Sequence, residues 1–300
     1  MPRPSSYYLD NLIDSEPVRV LDHGFVRVVD YMGNQAAIIR AARQSYSAEP
    51  TARTPEQDRT LLRYLMRHAH TSPLEMCELS VQMKLPIFVA RQIVRHRTAN
   101  INELSGRYSV LDREFYIPEV EQMCAQSTAN KQGRGAKLSE ALAKTMQKQM
   151  LSYAERTFDF YDFLLTDNLS VPLSRELARI NLPLSTYTTW TWKIDLHNLL
   201  HFLALRLDGH AQYETRVYAD VLWGWVQGWV PDVASAFLDY RLEAVRFSRP
   251  EQAAIRYLLL GQARDDAEAM LGDSEIARIL PNERELSEFR DKFLRLLNGP

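Results

Sequence analysis

The sequence predicts a globular protein of the α/β or α+β class with an added element at its C-terminus. Its 300 residues exceed one ordinary domain but suit a fold of this class with an appendage. Hydrophobic residues make up 46 % and charged residues 25 %, the composition of a soluble globular chain. Short segments rich in β-branched and aromatic residues alternate with longer runs of helix formers, which predicts both strands and helices.

Charge and cysteine content narrow the functional classes. The net charge of -2 gives no overall field for nucleic acid or acidic membranes, so an anion must be bound by a local cluster of bases. The first residues lack the apolar core of a signal peptide, and no apolar run approaches the roughly 18 residues of a membrane span. Cys77 and Cys124 are too few for a disulfide framework. We therefore expect a cytoplasmic protein that binds neither membranes nor nucleic acids.

The N-terminal third is predicted to contain one strand and two helices. In order, the elements are a loose arm over 1–20, a strand over 25–32, a helix that begins at Asn34, a polar loop over 47–53 and a helix that begins at Thr54. The strand is rich in β-branched and aromatic residues. Thr54 and Gln57 form a capping box, and Pro55 suits the first turn.

The clearest strand lies at 77–85, where apolar and polar side chains alternate strictly. Its apolar face consists of Cys77, Leu79, Val81, Met83 and Leu85. Pro86 ends this strand and begins a helix that is predicted to run over 87–97. A thiol on the buried apolar face of a strand is usually inert, so Cys77 is not a candidate nucleophile.

The second half is predicted to be mostly helical. In order, the elements are connecting chain over 112–137, a long helix over 138–165, a short helix over 172–181, a strand over 186–194, a helix capped by Asp195 that runs to Leu205, a helix over 210–226, and helical chain beyond Pro231. Capping-box patterns at Ser248…Glu251 and Asn282…Glu285 mark starts within the last part.

A cluster of bases is the main functional candidate. Arg91 and Arg95 are one helical turn apart, and Arg97 follows closely. Like charges at this spacing repel, so a cluster often has an anion to meet, and guanidinium groups bind phosphate bidentately. Gln92, one turn before Arg95, can both donate to and accept from a base edge. The alternative is a solvated basic helix followed by a polar loop.

Two further functional classes stay open on the residues alone. His197 and His201 are one turn apart and could chelate zinc, with His210 or Glu214 completing the site of a hydrolase. They could instead be partly buried helix residues or contact an aromatic or anionic cofactor. The basic segment 91–107 could also bind nucleic acid. The chain contains no G-x-G-x-x-G fingerprint, no P-loop and no G-x-S-x-G.

The segment RHRTANINELSGRY, residues 95–108, resembles the motif R-H-R-x-x-S-x-N-E-x-S-x-R-Y of the flavin-dependent thymidylate synthases. One position departs from it, because Asn100 stands where the motif has its first serine. Other segments resemble the family in its order, from Val20 to Leu222: RAARQSYS, YLMRHAHTSPLE, LPIFVARQ, EFYIP, SRELARINLP, TWTWKIDLHNLLHFLALR and DGHAQYE.

The resemblance implies an α+β fold with a central, mainly antiparallel sheet flanked by long helices. It implies a catalytic domain over 21–230, between the arm and a helical C-terminal extension over 231–300. The implied reaction is the reductive methylation of dUMP to dTMP, a step of dTMP biosynthesis. The carbon comes from methylenetetrahydrofolate and the reducing equivalents come from NADPH through FAD. The implied assembly is a homotetramer whose sites are shared between subunits.

The resemblance also implies residue roles, with no metal site. Arg206 would be catalytic, because it would lie against the uracil and favour the form ionised at N3. The dUMP contacts would be Gln92, Arg95, Glu103, Leu104, Ser105, Gly106, Arg107, Arg179 and Arg206. The FAD contacts would be Ser45, Ser72, Arg95, His96, Arg97, Glu103, Asp195, Leu196, His197 and His201. Ser105 is favoured as a substrate contact over a nucleophile, since no base adjoins it in the sequence.

Overall fold

The computed structural model describes residues 4–44, 54–128, 133–166, 170–247, 249, 252 and 282–298. Two compact units are present, Met1–Glu243 and Ala244–Pro300. The strands are β1 (Val18–Val20), β2 (Gly24–Met32), β3 (Glu78–Pro86), β4 (Asn100–Glu103), β5 (Cys124–Gln126), β6 (Arg134–Lys137) and β7 (Tyr187–Asp195). The first unit is an α+β fold built on a five-stranded sheet of order β1-β2-β3-β7-β4, in which every neighbouring pair is antiparallel. The predicted fold class is therefore confirmed.

The two long central strands, β3 and β7, supply many of the buried residues of the hydrophobic core. Each alternates buried and half-buried residues along its length, as the sequence pattern of β3 predicts. Their register pairs Val81 with Trp192 and Met83 with Trp190, so large apolar side chains meet on one face. Cys77 is fully buried just before β3, as predicted.

Ten α-helices are described. They are α1 (Tyr7–Ile13), α2 (Gln35–Gln44), α3 (Pro55–Arg67), α4 (Ile87–Ile93), α5 (Glu140–Leu165), α6 (Arg175–Ala178), α7 (Leu196–Arg206), α8 (Tyr213–Trp229), α9 (Pro231–Phe237) and α10 (Glu283–Asn298). The capping box at Thr54 and the cap by Asp195 are confirmed. None of the helices in the described part of the chain has the length and hydrophobicity that crossing a bilayer requires.

The prediction of a loose N-terminal arm is wrong. Ser6 caps α1, and Leu9 on this helix is fully buried in the main core. The Tyr31 hydroxyl of β2 donates to Asp10 over 2.6 Å and accepts from the Ser6 amide over 2.7 Å. These contacts come from residues more than twenty positions away, so the local sequence gives no sign of them.

Two elements near the basic segment also differ from prediction. Helix α4 ends at Ile93, whereas the sequence predicts a helix to 97. The chain then turns, and Asn100–Glu103 pairs with β7 as the edge strand β4. The connection over 112–137 contains a β5–β6 hairpin whose strands are almost entirely exposed. Exposed strands carry no apolar alternation, which explains why the sequence pattern does not reveal them.

The C-terminal boundary also falls later than predicted. Helix α9 begins at Pro231, but Val233, Ala234 and Phe237 are buried in the main core, and the first unit continues to Glu243. In the second unit the structure describes chiefly α10, which begins just after the predicted start at Asn282. The predicted start at Ser248…Glu251 lies outside the described residues.

Candidate active site

The site is assembled where α4 and α7 end. Helix α4 carries Gln92, and the turn after it carries Arg95 and His96. Helix α7 starts at the end of β7 and brings Arg206 on its last turn back to the same place. The Arg206 guanidinium donates from Nε to His96 Nε2 over 3.2 Å and from Nη2 to the Gln92 carbonyl over 3.3 Å. Residues more than a hundred positions apart thus form one cluster.

His96 is the buried member of this cluster. It is 9 % exposed, and its ring meets Phe202 edge-on with 4.9 Å between the ring centroids. Burial, then the charge of Arg206 and then His201, lower the pKa of His96 from 6.5 to about 4. His96 is therefore neutral near pH 7, as it must be to accept the Arg206 hydrogen bond at Nε2. Burial also lowers the pKa of Arg206.

The Gln92 amide is held by two residues of the last third of the chain. Its Nε2 donates to Gln212 Oε1, and its Oε1 accepts from the Thr215 hydroxyl over 3.0 Å. Gln212 Nε2 in turn donates to Glu214 Oε2 over 3.0 Å. Sequence reasoning missed Gln212 and Thr215, although they lie in the segment DGHAQYE or directly after it. Gln92, which both residues contact, is distant from them in the sequence, so only the fold reveals the contact.

The turn after β4 gathers several predicted substrate contacts. The Glu103 carboxylate accepts from the Thr188 hydroxyl over 2.7 Å, and the Leu104 amide donates to the Thr189 carbonyl. Gly106 packs against the Arg179 side chain, whose Cδ would lie 3.1 Å from any added Cβ. Glycine therefore brings Arg179 against this turn. Ser105 Oγ accepts from the Arg107 amide over 3.3 Å, and within the described ranges no hydrogen bond joins its hydroxyl to a histidine or a carboxylate.

The arginines of this region differ in how they are held. Arg107 forms an ion pair with Glu176 at 3.2 Å, with both side chains more than half exposed. Arg95 and Arg97 are exposed, and among the described residues no hydrogen bond or ion pair engages their side chains. Arg91, one turn before Arg95, is likewise exposed. Such unpaired guanidinium groups suit the phosphate groups of a nucleotide or of a dinucleotide cofactor.

The predicted cofactor contacts are only partly gathered here. His201 is exposed and lies 6.1 Å from His96 between ring centroids, while His197 is half-buried one turn earlier. Both carboxylate oxygens of Asp195 accept hydrogen bonds from Asn198, one from its backbone amide and one from its side-chain amide. Leu196 is fully buried in the core, so its predicted contact with FAD is not one that its side chain can make from this position.

Two predicted cofactor contacts, Ser72 and Ser45, and the motif departure Asn100 remain. Ser72 is exposed at the start of a 3₁₀ turn. Ser45 lies outside the described residues. Asn100, the departure from the family motif, is exposed on β4 and pairs with Lys193. Its larger side chain therefore needs no space in the core.

The geometry gives no support to the zinc alternative. Glu214 is 1 % exposed, and its oxygens are engaged by Tyr116, Arg134 and Gln212. His210 bonds to Asp208 over 2.9 Å at the surface. The described ranges contain no group of three or more His, Cys, Asp or Glu residues placed to hold a metal ion.

Comparison with known proteins identifies the family. The family described as "Thymidylate synthase complementing protein" matches residues 27–232. A flavin-dependent thymidylate synthase of Ruegeria pomeroyi is 53 % identical over 244 residues, which cover 81 % of this chain and 80 % of that protein. The chain belongs to the flavin-dependent thymidylate synthase family. Membership makes it a flavin-dependent methyltransferase of dTMP biosynthesis, and agrees with the resemblance carried by residues 95–108.

Other relatives extend the comparison beyond the catalytic unit. The flavin-dependent thymidylate synthase of Gluconobacter oxydans is 50 % identical over 260 residues, covering 87 % of this chain and 84 % of that one. That of Anaplasma marginale is 50 % identical over 272 residues, or 91 % of each chain. An alignment of 272 residues is longer than the unit Met1–Glu243, so it must enter the second unit. The C-terminal extension is thus at least partly shared.

Solved structures give the same fold at lower identity. The UMP/dUMP methylase PolB from Streptomyces cacaoi, bound with 5-Br dUMP, is 27 % identical and superposes with a TM-score of 0.67. The match covers 75 % of this chain and 99 % of that one. The same enzyme bound with 5-Br UMP is 28 % identical with a TM-score of 0.66, covering 76 % and 99 %.

Proposed function

We propose that this protein converts dUMP to dTMP with methylenetetrahydrofolate as carbon donor and NADPH as reductant, through bound FAD. The observation that carries the proposal is the cluster of Arg206, His96 and Gln92 beside two exposed, unpaired arginines, in a chain of the thymidylate synthase family. The cluster suits a nucleotide base, which is neutral and forms hydrogen bonds, and the two exposed arginines suit phosphate.

Arg206 is proposed to act on the base. A guanidinium held beside uracil N3 stabilises the negative charge that develops when the base is ionised there. Neutral His96 supports this role because it accepts the Nε hydrogen bond and adds no competing positive charge. The backbone carbonyl of Gln92 accepts a hydrogen bond from Arg206, and the side-chain amide of Gln92 is proposed to contact the edge of the base. These groups are half-buried or buried, so their field is less screened than at the surface.

The proposed phosphate contacts are Arg95, Arg107 and Arg179, of which Arg107 directly follows the turn at 103–106 and Arg179 packs against Gly106 in it. Arg97 and His201 face solvent and suit the charged and planar parts of a flavin dinucleotide. When bound, FAD supplies the hydride chemistry that no side chain can perform. The chain's own part is to bind, to orient and to keep the base near Arg206.

The proposal is tested with the purified full-length protein. We expect it to be yellow, or to become so with FAD. Its flavin absorption should shift on addition of dUMP, and it should form dTMP from dUMP, NADPH and methylenetetrahydrofolate. UMP should be assayed beside dUMP, because the structural neighbour was solved with 5-Br derivatives of both nucleotides. A protein that neither binds flavin nor methylates either nucleotide would overturn the proposal.

We also propose a homotetramer in the cytoplasm. Helix α5 exposes several large apolar side chains that an assembly would cover: Leu142, Met150, Leu151, Tyr153, Phe160 and Phe163. Both cysteines are free, as expected in a reducing compartment. Light scattering of the flavin-loaded protein should give four times the 34.7 kDa chain mass. A monomer at micromolar concentration would contradict the assembly and leave the chemistry to be judged separately.

A further inference from the structure

A buried carboxylate outside the proposed contact residues lies behind Gln92. Glu214 on α8 is 1 % exposed. Its Oε1 accepts from the Tyr116 hydroxyl over 3.0 Å and forms an ion pair with Arg134. Arg134 comes from strand β6 and is held in turn by Gln122 over 2.9 Å. An ionised carboxylate at this depth is tolerated only when charge and hydrogen bonds compensate it, and both are present.

The carboxylate fixes the direction of a chain of hydrogen bonds. An ionised carboxylate can only accept, so Gln212 must turn its NH₂ group toward Glu214. Gln212 Oε1 then faces Gln92, so Gln92 must donate to it from its own NH₂ group. Gln92 Oε1 is left to accept from the Thr215 hydroxyl. The orientation of the Gln92 amide is thus set by a carboxylate that it does not touch.

This orientation decides which base edge Gln92 can match. After its two internal bonds, the amide has one N–H and one oxygen lone pair left, in a fixed order. Uracil offers an acceptor oxygen at C4 whether N3 is protonated or, as proposed beside Arg206, ionised, whereas cytosine offers an amino donor at C4. The N–H of Gln92 suits the uracil oxygen and its oxygen suits the cytosine amino group, so the two bases demand opposite orientations of the same amide.

We propose that Glu214 is a specificity-determining positioning residue, which through Gln212 locks the Gln92 amide in the orientation that accepts uracil and rejects cytosine. The inference rests on the proposed function, because it requires that Gln92 contacts the base. A site whose donors and acceptors match one base strongly rejects a base with the reversed arrangement, because buried donors then face donors and buried acceptors face acceptors. The Thr215 hydroxyl, which is fully buried, can donate or accept and so follows the orientation that Glu214 imposes.

The test compares dUMP and dCMP binding to the full-length flavin-loaded protein by calorimetric titration. In Glu214→Gln the side chain keeps its size but can donate, so Gln212 and Gln92 can both reverse. We expect the ratio of the dCMP to the dUMP dissociation constant to fall roughly tenfold or more, with dCMP binding strengthened. Glu214→Asp, which can only accept, should keep more of the ratio. An unchanged ratio in a folded, flavin-loaded Glu214→Gln protein would overturn the inference.

Control variants separate this role from a structural one. Glu140→Gln removes an exposed carboxylate on α5 that pairs with Lys144, and it should leave both constants unchanged. If Glu214→Gln does not fold, Gln212→Met carries the test, because it removes the link between Glu214 and Gln92 without removing the buried charge. The Gln92 amide can then reverse, since the Thr215 hydroxyl accepts as readily as it donates, and the ratio should fall in this variant too. Equal weakening of both ligands in Gln212→Met would count against the inference.

Failure of the proposed function gives a different result. If Gln92→Leu leaves dUMP binding unchanged, Gln92 does not contact the base and the proposed site is wrong. If Gln92→Leu weakens dUMP binding while Glu214→Gln and Gln212→Met leave the ratio intact, the site stands and only the role of Glu214 is refuted.

Discussion

The two sides of the candidate site are built differently. On the base side, the side chains of Gln92, His96 and Arg206 are at least half-buried, and each has hydrogen-bond partners from distant parts of the chain. On the anion side, Arg95 and Arg97 are exposed and no partner among the described residues engages them. The first side is ordered before a ligand arrives, whereas the second carries charge in solvent.

This difference follows from what each side must recognise. A base edge is read by hydrogen bonds of fixed direction, and a group that is already oriented loses little freedom on binding. Phosphate is a strong, nearly isotropic anion that several flexible guanidinium groups can meet from different directions. Exposed arginines cost little to keep charged, whereas a half-buried Arg206 has a pKa lowered by burial. Substitutions on the two sides should therefore fail in different ways.

The largest effect is expected for Arg206→Ala. The variant removes the charge proposed to stabilise the ionised base, and it leaves His96 and Gln92 without their shared partner. We expect kcat to fall by roughly 10²–10³-fold or more, with flavin absorbance mostly intact. Single-turnover formation of dTMP measures the change. Arg206→Lys keeps the charge but not the two-point contact, so it should recover only part of the rate. Unchanged turnover in Arg206→Ala would refute the role.

A smaller effect, on binding and not on rate, is expected for Arg95→Ala. Loss of a charge-assisted phosphate contact should weaken dUMP binding roughly 10- to 100-fold. Arg91→Ala is the matched control, because Arg91 is equally exposed and lies one turn away but has no proposed ligand contact. Titration with dUMP at two salt concentrations should show a reduced salt dependence in Arg95→Ala only. Equal losses in both variants would indicate a general field and not a specific contact.

The same contrast explains what the sequence could predict. Strand β3 shows its buried face in the alternation of its residues, and Asp195 marks the start of α7 by its type and position. The motif at 95–108 indicates the family, yet the sequence pattern predicts the helix before it to be longer than it is. The chain leaves α4 after Ile93 because Asn100–Glu103 pairs with β7, a contact that spans about ninety residues. Local propensity carries no information about such pairing.

The hidden part of the site follows the same rule. The residue types suggest for Glu214 only the role of a zinc ligand that would complete a site with His197 and His201. Its actual partners, Tyr116 and Arg134, lie 98 and 80 positions away. Arg134 in particular belongs to an exposed hairpin that the sequence predicts as connecting chain. Residue types alone suggest the arginines of the anion side. The hydrogen bonds that link Glu214 to Gln92 on the base side are visible only in the folded structure.

Acid should weaken the base side through His96. Its pKa is lowered from 6.5 to about 4 in the folded state, so the unfolded chain takes up the proton first as pH falls. Stability should therefore decline between pH 6.5 and 4, by about 2 kcal/mol at pH 5 relative to pH 7.5. Urea unfolding of the protein and of His96→Gln at both pH values isolates this contribution by difference. A difference near zero would mean that His96 titrates normally and does not hold Arg206 as a neutral acceptor.

The smallest effects on activity are expected at the cysteines, which lie outside both sides of the site. Burial raises the pKa of the Cys77 thiol to about 12, so it carries no thiolate near neutral pH and cannot serve as a nucleophile. Cys77→Ser should keep its turnover but lose about 1–2 kcal/mol of stability, because a hydroxyl is costlier to bury than a thiol. Cys124 is only half-buried, so Cys124→Ser should change stability by less than about 0.5 kcal/mol. Thermal unfolding beside steady-state kinetics measures both. Loss of the chemical step in either folded variant would mean that a thiolate, and not the preordered base side, activates the nucleotide.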